Sequence, residues 1–240
     1  MKTNEEILQA LRGGLIVSCQ ALPEEPLYSS YIMSRMAYAA MLGGAVGIRA
    51  NTPEDVHEIK ATVNLPVLAL YKKDYADSSV YITPTGAEVD ALAAEHPEVI
   101  AMDATNRPRP NGLTLDEFFA RVREKYPHQL FMADCATFEE GVHAQALGFD
   151  IISTTLCGYT EDTKHTLLPN LPLVGRLADA LRIPVIAEGG IWEAEDLKQA
   201  FAQHAFAAVI GTAITRPREI TRRYVQAISK EDGCQTRKNA

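Results

Sequence analysis

The stretch Val185-Ile186-Ala187-Glu188-Gly189-Gly190-Ile191 decides the fold. Its apolar, partly β-branched start is typical of a strand that is buried on both faces. The strand ends on a carboxylate, Glu188, and burying a carboxylate costs free energy unless the group has a partner or a task. The two glycines that follow allow the backbone to turn sharply and to approach a ligand closely.

A second segment, Ala207-Ala208-Val209-Ile210-Gly211-Thr212-Ala213, repeats this design of a small apolar strand that ends on glycine. A helix-like segment separates the two strands. Two such units in succession are typical of the phosphate-binding corner of a β/α barrel, which follows its seventh and eighth strands. Either segment alone could be an ordinary buried strand with a glycine turn, and the pairing of the two favours the barrel.

The rest of the chain alternates strands and helices in the same way. Eight predicted strands are each followed by a predicted helix, and this alternation indicates a parallel sheet. Eight units indicate closure into a (β/α)8 TIM barrel, a fold whose usual length the 240 residues match. The first six predicted strands cover residues 15–18, 45–48, 67–70, 98–102, 130–133 and 150–154.

The two ends of the chain extend this pattern. A short lead-in helix, Asn4–Leu11, precedes the first strand and could cap the closed bottom of the barrel. The eighth helix is predicted to end at Ile228. We therefore expect one catalytic barrel domain over residues 1–228 and a polar C-terminal tail over residues 229–240.

The composition narrows the class of partner and the compartment. The chain is 47% hydrophobic and carries a formal net charge of −8, which disfavours nucleic acid and anionic membranes as partners. Its four cysteines include no CxxC pair, so we expect reduced thiols. The acidic N-terminus has no apolar core of a signal peptide, and no apolar run is long enough for a membrane helix. We expect a cytoplasmic protein.

Polar residues fall at the carboxyl ends of six predicted strands, where the active site of a parallel barrel lies. They are Gln20, Arg49, Lys72, Asp103, Asp134 and Glu188. Each has a structural alternative: either aspartate could cap the helix that follows it, and the adjacent Lys73 leaves open which lysine points inward. As a set, they indicate one site at the mouth of the barrel.

The glycine segments predict a phosphate cradle beside these side chains. Backbone N–H groups of Gly189, Gly190, Gly211 and Thr212 would meet the phosphate, and the start of a helix adds a favourable field. Arg216 lies nearby in the sequence and could assist or could be a surface residue. We therefore expect an anionic small-molecule substrate.

The sequence points away from metal and nucleotide cofactors. The six histidines lie in predicted helices or on their approaches, and no GxGxxG opens a helix. Cys19, Cys135 and Cys157 follow strand ends and are interpreted as small buried residues. A lysine and a glutamate without a cofactor are suited to proton transfer beside a carbonyl. Whether the pKa of Lys72 is lowered or raised depends on burial and neighbouring charges.

At these residues the chain resembles a known family, the N-acetylmannosamine-6-phosphate 2-epimerases of bacterial sialic acid catabolism, over most of its length. The matching blocks are Gly13-Gly14-Leu15-Ile16-Val17-Ser18-Cys19-Gln20, Gly47-Ile48-Arg49, Lys72-Lys73-Asp74, Ile100-Ala101-Met102-Asp103-Ala104-Thr105, Asp134-Cys135, Thr154-Thr155-Leu156-Cys157-Gly158-Tyr159-Thr160, Ile186-Ala187-Glu188-Gly189 and Gly211-Thr212-Ala213-Ile214-Thr215-Arg216. Together these blocks are highly specific, although no single one would be.

The resemblance implies a TIM-barrel isomerase of amino-sugar metabolism, a homodimer, that interconverts N-acetylmannosamine 6-phosphate and N-acetylglucosamine 6-phosphate. It implies that Lys72 and Glu188 are catalytic. Gln20, Arg49 and Asp134 match residues that hold the sugar, and the glycines match the phosphate site. The chain departs from the family at two positions. Lys73 stands where arginine is common, and Gly190 stands where a basic residue often follows the Glu-Gly pair.

Two other functions remain open from the residues alone. A Schiff-base aldolase on the same barrel would use Lys72 as a nucleophile. A sugar-phosphate sensor without turnover would need the phosphate cradle but not the pair of Lys72 and Glu188. Fold alone does not choose among these functions, because barrels host many chemistries.

Overall fold

A computed structural model describes residues 2–235 of the chain, with side chains described for residues 2–229. Eight short strands form its centre. They are β1 (Leu15–Cys19), β2 (Gly47–Asn51), β3 (Val67–Leu70), β4 (Val99–Asp103), β5 (Leu130–Asp134), β6 (Ile151–Ser153), β7 (Val185–Glu188) and β8 (Ala207–Ile210).

The strands pair in parallel in the order of the chain, and the sheet closes on itself. Each strand pairs with the next, and β1 also pairs with β8, with Leu15 opposite Ala208. The predicted (β/α)8 TIM barrel is therefore confirmed. Because all strands are parallel, their carboxyl ends meet at one mouth. Asp103 and Asp134, the last residues of β4 and β5, lie opposite each other there.

Helices connect successive strands on the outside of the barrel. They are α1 (Asn4–Leu11), α2 (Ser30–Leu42), α3 (Pro53–Thr62), α4 (Gly86–Ala94), α5 (Leu115–Lys125), α6 (Phe138–Leu147), α7 (Leu171–Ala180), α8 (Ala194–Ala202), α9 (Thr212–Thr215) and α10 (Pro217–Gln235). Several begin with the local signals expected from sequence. A capping box of Thr137 and Glu140 opens α6, for example, and satisfies backbone N–H groups in its first turn.

The apolar residues form two layers because neighbouring side chains on a strand point to opposite faces. One set, which includes Leu68, Met132 and Val209, fills the interior of the barrel. The alternate set, which includes Ala69 and Ala133, packs outward against the helices. The strands are therefore buried on both faces, as their continuous apolar runs predict.

The lead-in helix α1 closes the bottom of the barrel, as predicted. Its Ile7 and Leu11 are buried and belong to the same apolar cluster as Ile16 in the interior. Just beyond the helix, the N–H of Gly13 donates to the carbonyl of Phe206 at 2.7 Å. The mouth at the opposite end is thus the open end of the barrel.

Most of the predicted strand boundaries stated above agree with the structure to within one residue, but the second strand and the end of the last helix differ by more. The second strand was expected at residues 45–48, but β2 runs from Gly47 to Asn51, so that Arg49 lies inside the strand. The strand continues past a charged residue because the barrel interior becomes polar towards its mouth, where Arg49 finds partners. The last helix continues to Gln235 instead of ending at Ile228. Positions 236–240 of the predicted tail lie outside the described residues.

None of the helices in residues 2–235 is long and apolar enough to cross a membrane.

Candidate active site

The polar side chains of the mouth continue the inward alternation of the strands. Leu68 and Leu70 belong to the interior cluster, and the next residue on this register is Lys72. In the same way, Glu188 follows Ile186 and Asp134 follows Met132. The fold therefore brings groups from these three strands together at the mouth of the barrel.

A cavity of about 310 Å³ opens at this mouth. A volume of this size is at the lower end of those that hold small-molecule ligands. Of the predicted site residues, those that line it are Gln20, Arg49, Lys72, Glu188, Gly189, Gly190, Gly211 and Thr212. Asp134 is fully buried and lies behind Arg49 rather than on the cavity wall.

Arg49 holds two carboxylates at once. Its side chain is fully buried; Nη2 donates to Oδ2 of Asp134 at 2.5 Å, and Nη1 donates to Oε2 of Glu188. A buried guanidinium is stable only with such partners. Although burial alone would lower the pKa of Arg49, the two carboxylates raise it, so the side chain stays charged.

Thr155 lies between the same two carboxylates. Its hydroxyl is 2.7 Å from Oδ1 of Asp134 and 3.0 Å from Oε2 of Glu188, and it accepts from Nη1 of Arg49 at 3.2 Å. Ser153 is 2.8 Å from the Thr155 hydroxyl and 3.3 Å from Oε2 of Glu188. We call Arg49, Lys72, Asp134, Thr155 and Glu188 the acid–base cluster.

Burial raises the pKa of Glu188, and the neighbouring charge of Asp134 adds to the effect. Arg49 opposes this shift, as do the hydroxyl of Thr155 and the charge of Lys72. The pKa of Asp134 is raised as well, with burial as the first cause. Two carboxylates that share one guanidinium compete for its charge, so a proton on Glu188 is favoured relative to an ordinary glutamate.

The structure distinguishes the two neighbouring lysines. Lys72 lines the cavity, and burial, followed by the charges of Arg216 and Arg49, lowers its pKa to about 8. Glu188 and Glu25 oppose this shift. Lys73 is exposed and donates to Oε1 of Glu88 at 3.1 Å, outside the cavity lining.

Two buried polar atoms at the mouth have no hydrogen-bond partner among the described residues. They are Oε1 of Gln20 and Nε of Arg49. Gln20 is otherwise fixed, because its Nε2 donates to the hydroxyl of Ser18 at 2.9 Å. Buried polar atoms are normally paired, so these two are places where a polar ligand would complete the structure.

The second part of the site is the glycine corner, which we define as Gly189, Gly190, Gly211 and Thr212. Gly189 and Gly190 have φ of 105° and 74°, a region that favours glycine. A Cβ on Gly190 would lie 2.4 Å from Cβ of Leu168. Among the described residues, no hydrogen bond is found from the backbone N–H groups of the corner, and its residues line the cavity.

Several lining residues were not singled out from the sequence. Thr155, Tyr81, Tyr159 and Trp192 all border the cavity. For Thr155 a signal was present, because it follows Ile151 and Ser153 on the inward register of β6. The tyrosines and the tryptophan come from loops beyond the strands, where the two-residue alternation ends and no sequence signal places them.

Other predicted residues have structural partners. The carboxylate of Asp103 accepts from Thr105 at 2.7 Å and from Arg107 at 2.5 Å. It does not cap the helix that follows, as the structural alternative supposed, because Thr114 is the N-cap of α5. Arg216 lines the cavity and also lies 3.3 Å from Glu25. Cys19, Cys135 and Cys157 are buried free thiols. In the described part of the chain, no three His, Cys, Asp or Glu side chains cluster as metal ligands would.

The arrangement can perform acid–base chemistry on an anionic ligand. A lysine with a lowered pKa and a glutamate with a raised pKa face the same cavity, and pKa values shifted towards neutrality suit proton transfer. The glycine corner, which lines the same cavity, offers backbone donors to an anion.

Comparisons with known proteins agree with this geometry. A family model described as "Putative N-acetylmannosamine-6-phosphate epimerase" matches residues 33–230. A protein from Caldanaerobacter subterraneus subsp. tengcongensis, named "Putative N-acetylmannosamine-6-phosphate 2-epimerase", is 52% identical over 225 residues, which are 94% of this chain and 95% of that protein.

The chain is also similar to solved structures, one of them an epimerase. The N-acetylmannosamine-6-phosphate 2-epimerase from Clostridium perfringens is 47% identical with a TM-score of 0.88, over 92% of this chain and 95% of that one. A thiamine phosphate pyrophosphorylase from Pyrococcus furiosus is 16% identical with a TM-score of 0.59, over 87% of this chain and 89% of that one, and it shares the fold alone.

Proposed function

The chain belongs to the N-acetylmannosamine-6-phosphate epimerase family, and we propose that it is an isomerase that inverts C2 of N-acetylmannosamine 6-phosphate to give N-acetylglucosamine 6-phosphate, and the reverse. This reaction belongs to sialic acid and amino-sugar catabolism. The observation that carries the proposal is the acid–base cluster, in which Lys72 and Glu188 face one cavity with pKa values shifted towards neutrality from opposite sides.

The reaction needs an acidic C–H bond. When the sugar ring opens, the aldehyde at C1 makes the C2 proton acidic. Neutral Lys72 takes this proton, and an enol or enolate forms. A proton delivered to the opposite face of C2 inverts the centre. In this proposal ionised Glu188 takes the proton of the O1 hydroxyl when the ring opens and water protonates the ring oxygen, and the protonated Glu188 then donates to the enolate oxygen at O1.

The neighbouring groups prepare this pair for its task. Arg49 is held by two carboxylates, and its charge lowers the pKa of Lys72. The unpartnered Oε1 of Gln20 would accept from a hydroxyl or from the acetamido N–H of the sugar. Asp134, predicted to hold the sugar, lies behind Arg49 and would act by orienting that guanidinium.

The phosphate would bind at the glycine corner. Its backbone N–H groups have no acceptor among the described residues, and Arg216 adds a positive charge to the cavity wall. At Gly190, the chain has no basic side chain, and the overlap with Leu168 explains why a larger residue does not fit this backbone. Phosphate binding here would therefore rely on the backbone and on Arg216.

The test is proton NMR of N-acetylmannosamine 6-phosphate in D₂O with the purified protein and no added metal or nucleotide. We expect N-acetylglucosamine 6-phosphate to appear with deuterium at C2, because the abstracted proton exchanges with solvent. A spectrum that stays unchanged while the sugar phosphate binds would contradict the proposal and support a sensor.

Treatment with borohydride distinguishes the epimerase from the other enzyme considered, a Schiff-base aldolase. An aldolase would form a Schiff base between Lys72 and the substrate carbonyl, and borohydride would trap it as a stable adduct visible by mass spectrometry. We expect no adduct at Lys72, since the epimerase needs this lysine only as a base.

We also propose that the protein is a cytoplasmic homodimer whose catalytic domain is the single barrel. The buried free thiols are compatible with a reducing compartment. Tyr224, Val225 and Ile228 expose apolar surface on α10, which a second copy could cover. Size-exclusion chromatography with light scattering measures the molar mass of the protein in solution, and the mass of a monomer would contradict the dimer.

A further inference from the structure

Thr155 is the uncharged member of the acid–base cluster, and it contacts three of the four charged members. Its hydroxyl oxygen is within hydrogen-bond distance of Arg49, of Asp134 and of Glu188, and also of the hydroxyl of Ser153. A threonine hydroxyl has one proton to donate and two lone pairs that accept. Four neighbours therefore compete for three bonding positions.

The proton count links the two carboxylates. If Thr155 donates to Asp134, the nearer acceptor at 2.7 Å, no proton lies between Thr155 and Oε2 of Glu188 at 3.0 Å unless Glu188 supplies it. A protonated Glu188 satisfies this geometry by donating to Thr155. When Glu188 is ionised, the hydroxyl can turn to it, and Asp134 keeps its bond to Nη2 of Arg49.

We propose that Thr155 is a positioning residue whose hydroxyl turns between Asp134 and Glu188 and thereby holds Glu188 in place in both of its protonation states. The proton balance is complete within the cluster: ionised Glu188 accepts from Thr155, and protonated Glu188 donates to Thr155 while Thr155 donates to Asp134. Thr155 itself begins and ends each cycle as a neutral hydroxyl.

The other charged groups around Glu188 cannot take over this task. Arg49 on β2 donates in both states, and Lys72 after β3 acts on Glu188 through its charge, with no hydrogen bond to that carboxyl among the described residues. Further out, Arg216 acts on Lys72, and Asp103 on β4 acts on Asp134. Ser153 lies 3.3 Å from Glu188, farther than Thr155.

The substitution Thr155→Val tests the inference, because valine keeps the shape and removes the hydroxyl. Thr155→Ser keeps the hydroxyl and is the rescue variant. Thr154→Val is the matched control, since the Thr154 hydroxyl binds the backbone carbonyl of Glu188 at 2.9 Å and its N–H at 3.1 Å rather than its carboxylate. Thr155→Ala is the second variant if the valine protein does not fold.

The first readout is the pKa of the Glu188 carboxyl, from carbon-13 NMR of protein labelled at glutamate carboxyls and assigned by its loss in Glu188→Gln. A donor to the ionised form lowers a carboxyl pKa. Thr155→Val should therefore raise this pKa by about one unit, the scale of one hydrogen bond to a charge. Thr155→Ser should restore it, and Thr154→Val should leave it unchanged.

The second readout is turnover. The kcat of Thr155→Val should fall about 10- to 100-fold, with KM changed less than kcat, and Thr155→Ser should recover most of the rate. An unchanged Glu188 pKa in Thr155→Val, or an equal shift in Thr154→Val, would overturn the inference. The catalytic part rests on the proposed function, but the titration does not require turnover. If the wild-type protein does not epimerise the sugar phosphate, the proposed function is contradicted, and the titration of Glu188 alone tests the role of Thr155.

Discussion

The two parts of the cavity lining, the acid–base cluster and the glycine corner, are built in different ways. In the acid–base cluster, charged side chains from several strands are paired with one another, and Arg49 and Asp134 are fully buried. In the glycine corner, the backbone supplies the donors, and none of its N–H groups has an acceptor among the described residues. The side-chain charges of the cluster are mostly paired before a ligand arrives, with Nε of Arg49 as an exception, whereas the backbone donors of the corner are satisfied by the ligand.

This difference teaches how binding and chemistry are separated. Buried charges hold each other in fixed positions, so the cluster keeps its geometry and its shifted pKa values without substrate. Unpaired backbone donors gain most when an anion binds, so the corner contributes affinity. Substitutions in the cluster should therefore change kcat, and those in the corner should change KM.

The largest effect is expected at Lys72. Lys72→Ala removes the proposed base and should lower turnover about 10²- to 10⁴-fold. The matched control is Lys73→Ala, which deletes the same charge one residue later but removes only the pair of the exposed Lys73 with Glu88, outside the cavity lining. Turnover and C2 deuterium exchange by NMR measure both. Equal losses in the two variants would break the assignment of the cluster.

The next effect is the dependence of the rate on pH. Lys72 acts as a base only when neutral, and burial with neighbouring cations lowers its pKa to about 8. Below this pH the neutral fraction falls about tenfold per unit, so kcat/KM should fall as the pH decreases from 8 to 6. An ordinary exposed lysine would move this limb to near pH 10, and a limb there would contradict the burial of Lys72.

A smaller effect is expected in the glycine corner. Gly190→Ala places a Cβ 2.4 Å from Leu168 at a φ of 74°, so the turn must shift. Strain of this kind typically costs a few kcal/mol, and KM for the sugar phosphate should rise about tenfold with little change in kcat. Gly86→Ala, at a position with open space, is the control. Inhibition by inorganic phosphate should weaken in parallel with the rise in KM. A loss confined to kcat would contradict the assignment of the glycine corner to substrate binding.

The smallest effect is expected at Glu25, whose charge acts on Arg216 and on Lys72. It lies 3.3 Å from Arg216, and its charge raises the pKa of Lys72. Glu25→Gln removes that charge, so the acidic limb of the rate profile should move to lower pH by less than about one unit. A shift in the opposite direction would contradict this electrostatic account.

The repeat of the strands made much of this site predictable. Eight strand–helix units predicted the barrel, and polar residues at strand ends predicted the mouth. The same inward register that leads from Leu70 to Lys72 also leads from Ile151 to Thr155, although that threonine was not singled out. A neutral hydroxyl at a strand end attracts less attention than a charge, and its importance depends on groups from three other strands.

The roles of some site residues depend on contacts between residues from different strands and loops, which sequence alone does not show. The choice between Lys72 and Lys73 follows from the partner that each one meets, the cavity for the first and Glu88 for the second. Asp134 was predicted to hold the sugar, and it lies behind Arg49 because that arginine sits inside β2 rather than at its end. Tyr81 and Tyr159 reach the cavity from loops.

The sequence by itself determined the barrel, the place of its mouth and the two kinds of chemistry there, because periodic burial and glycine turns are local properties of the chain. The tertiary structure alone decided how charge is shared. Burial and pairing depend on side chains from distant strands, and they set the pKa of Lys72 to about 8 and place one hydroxyl between two carboxylates.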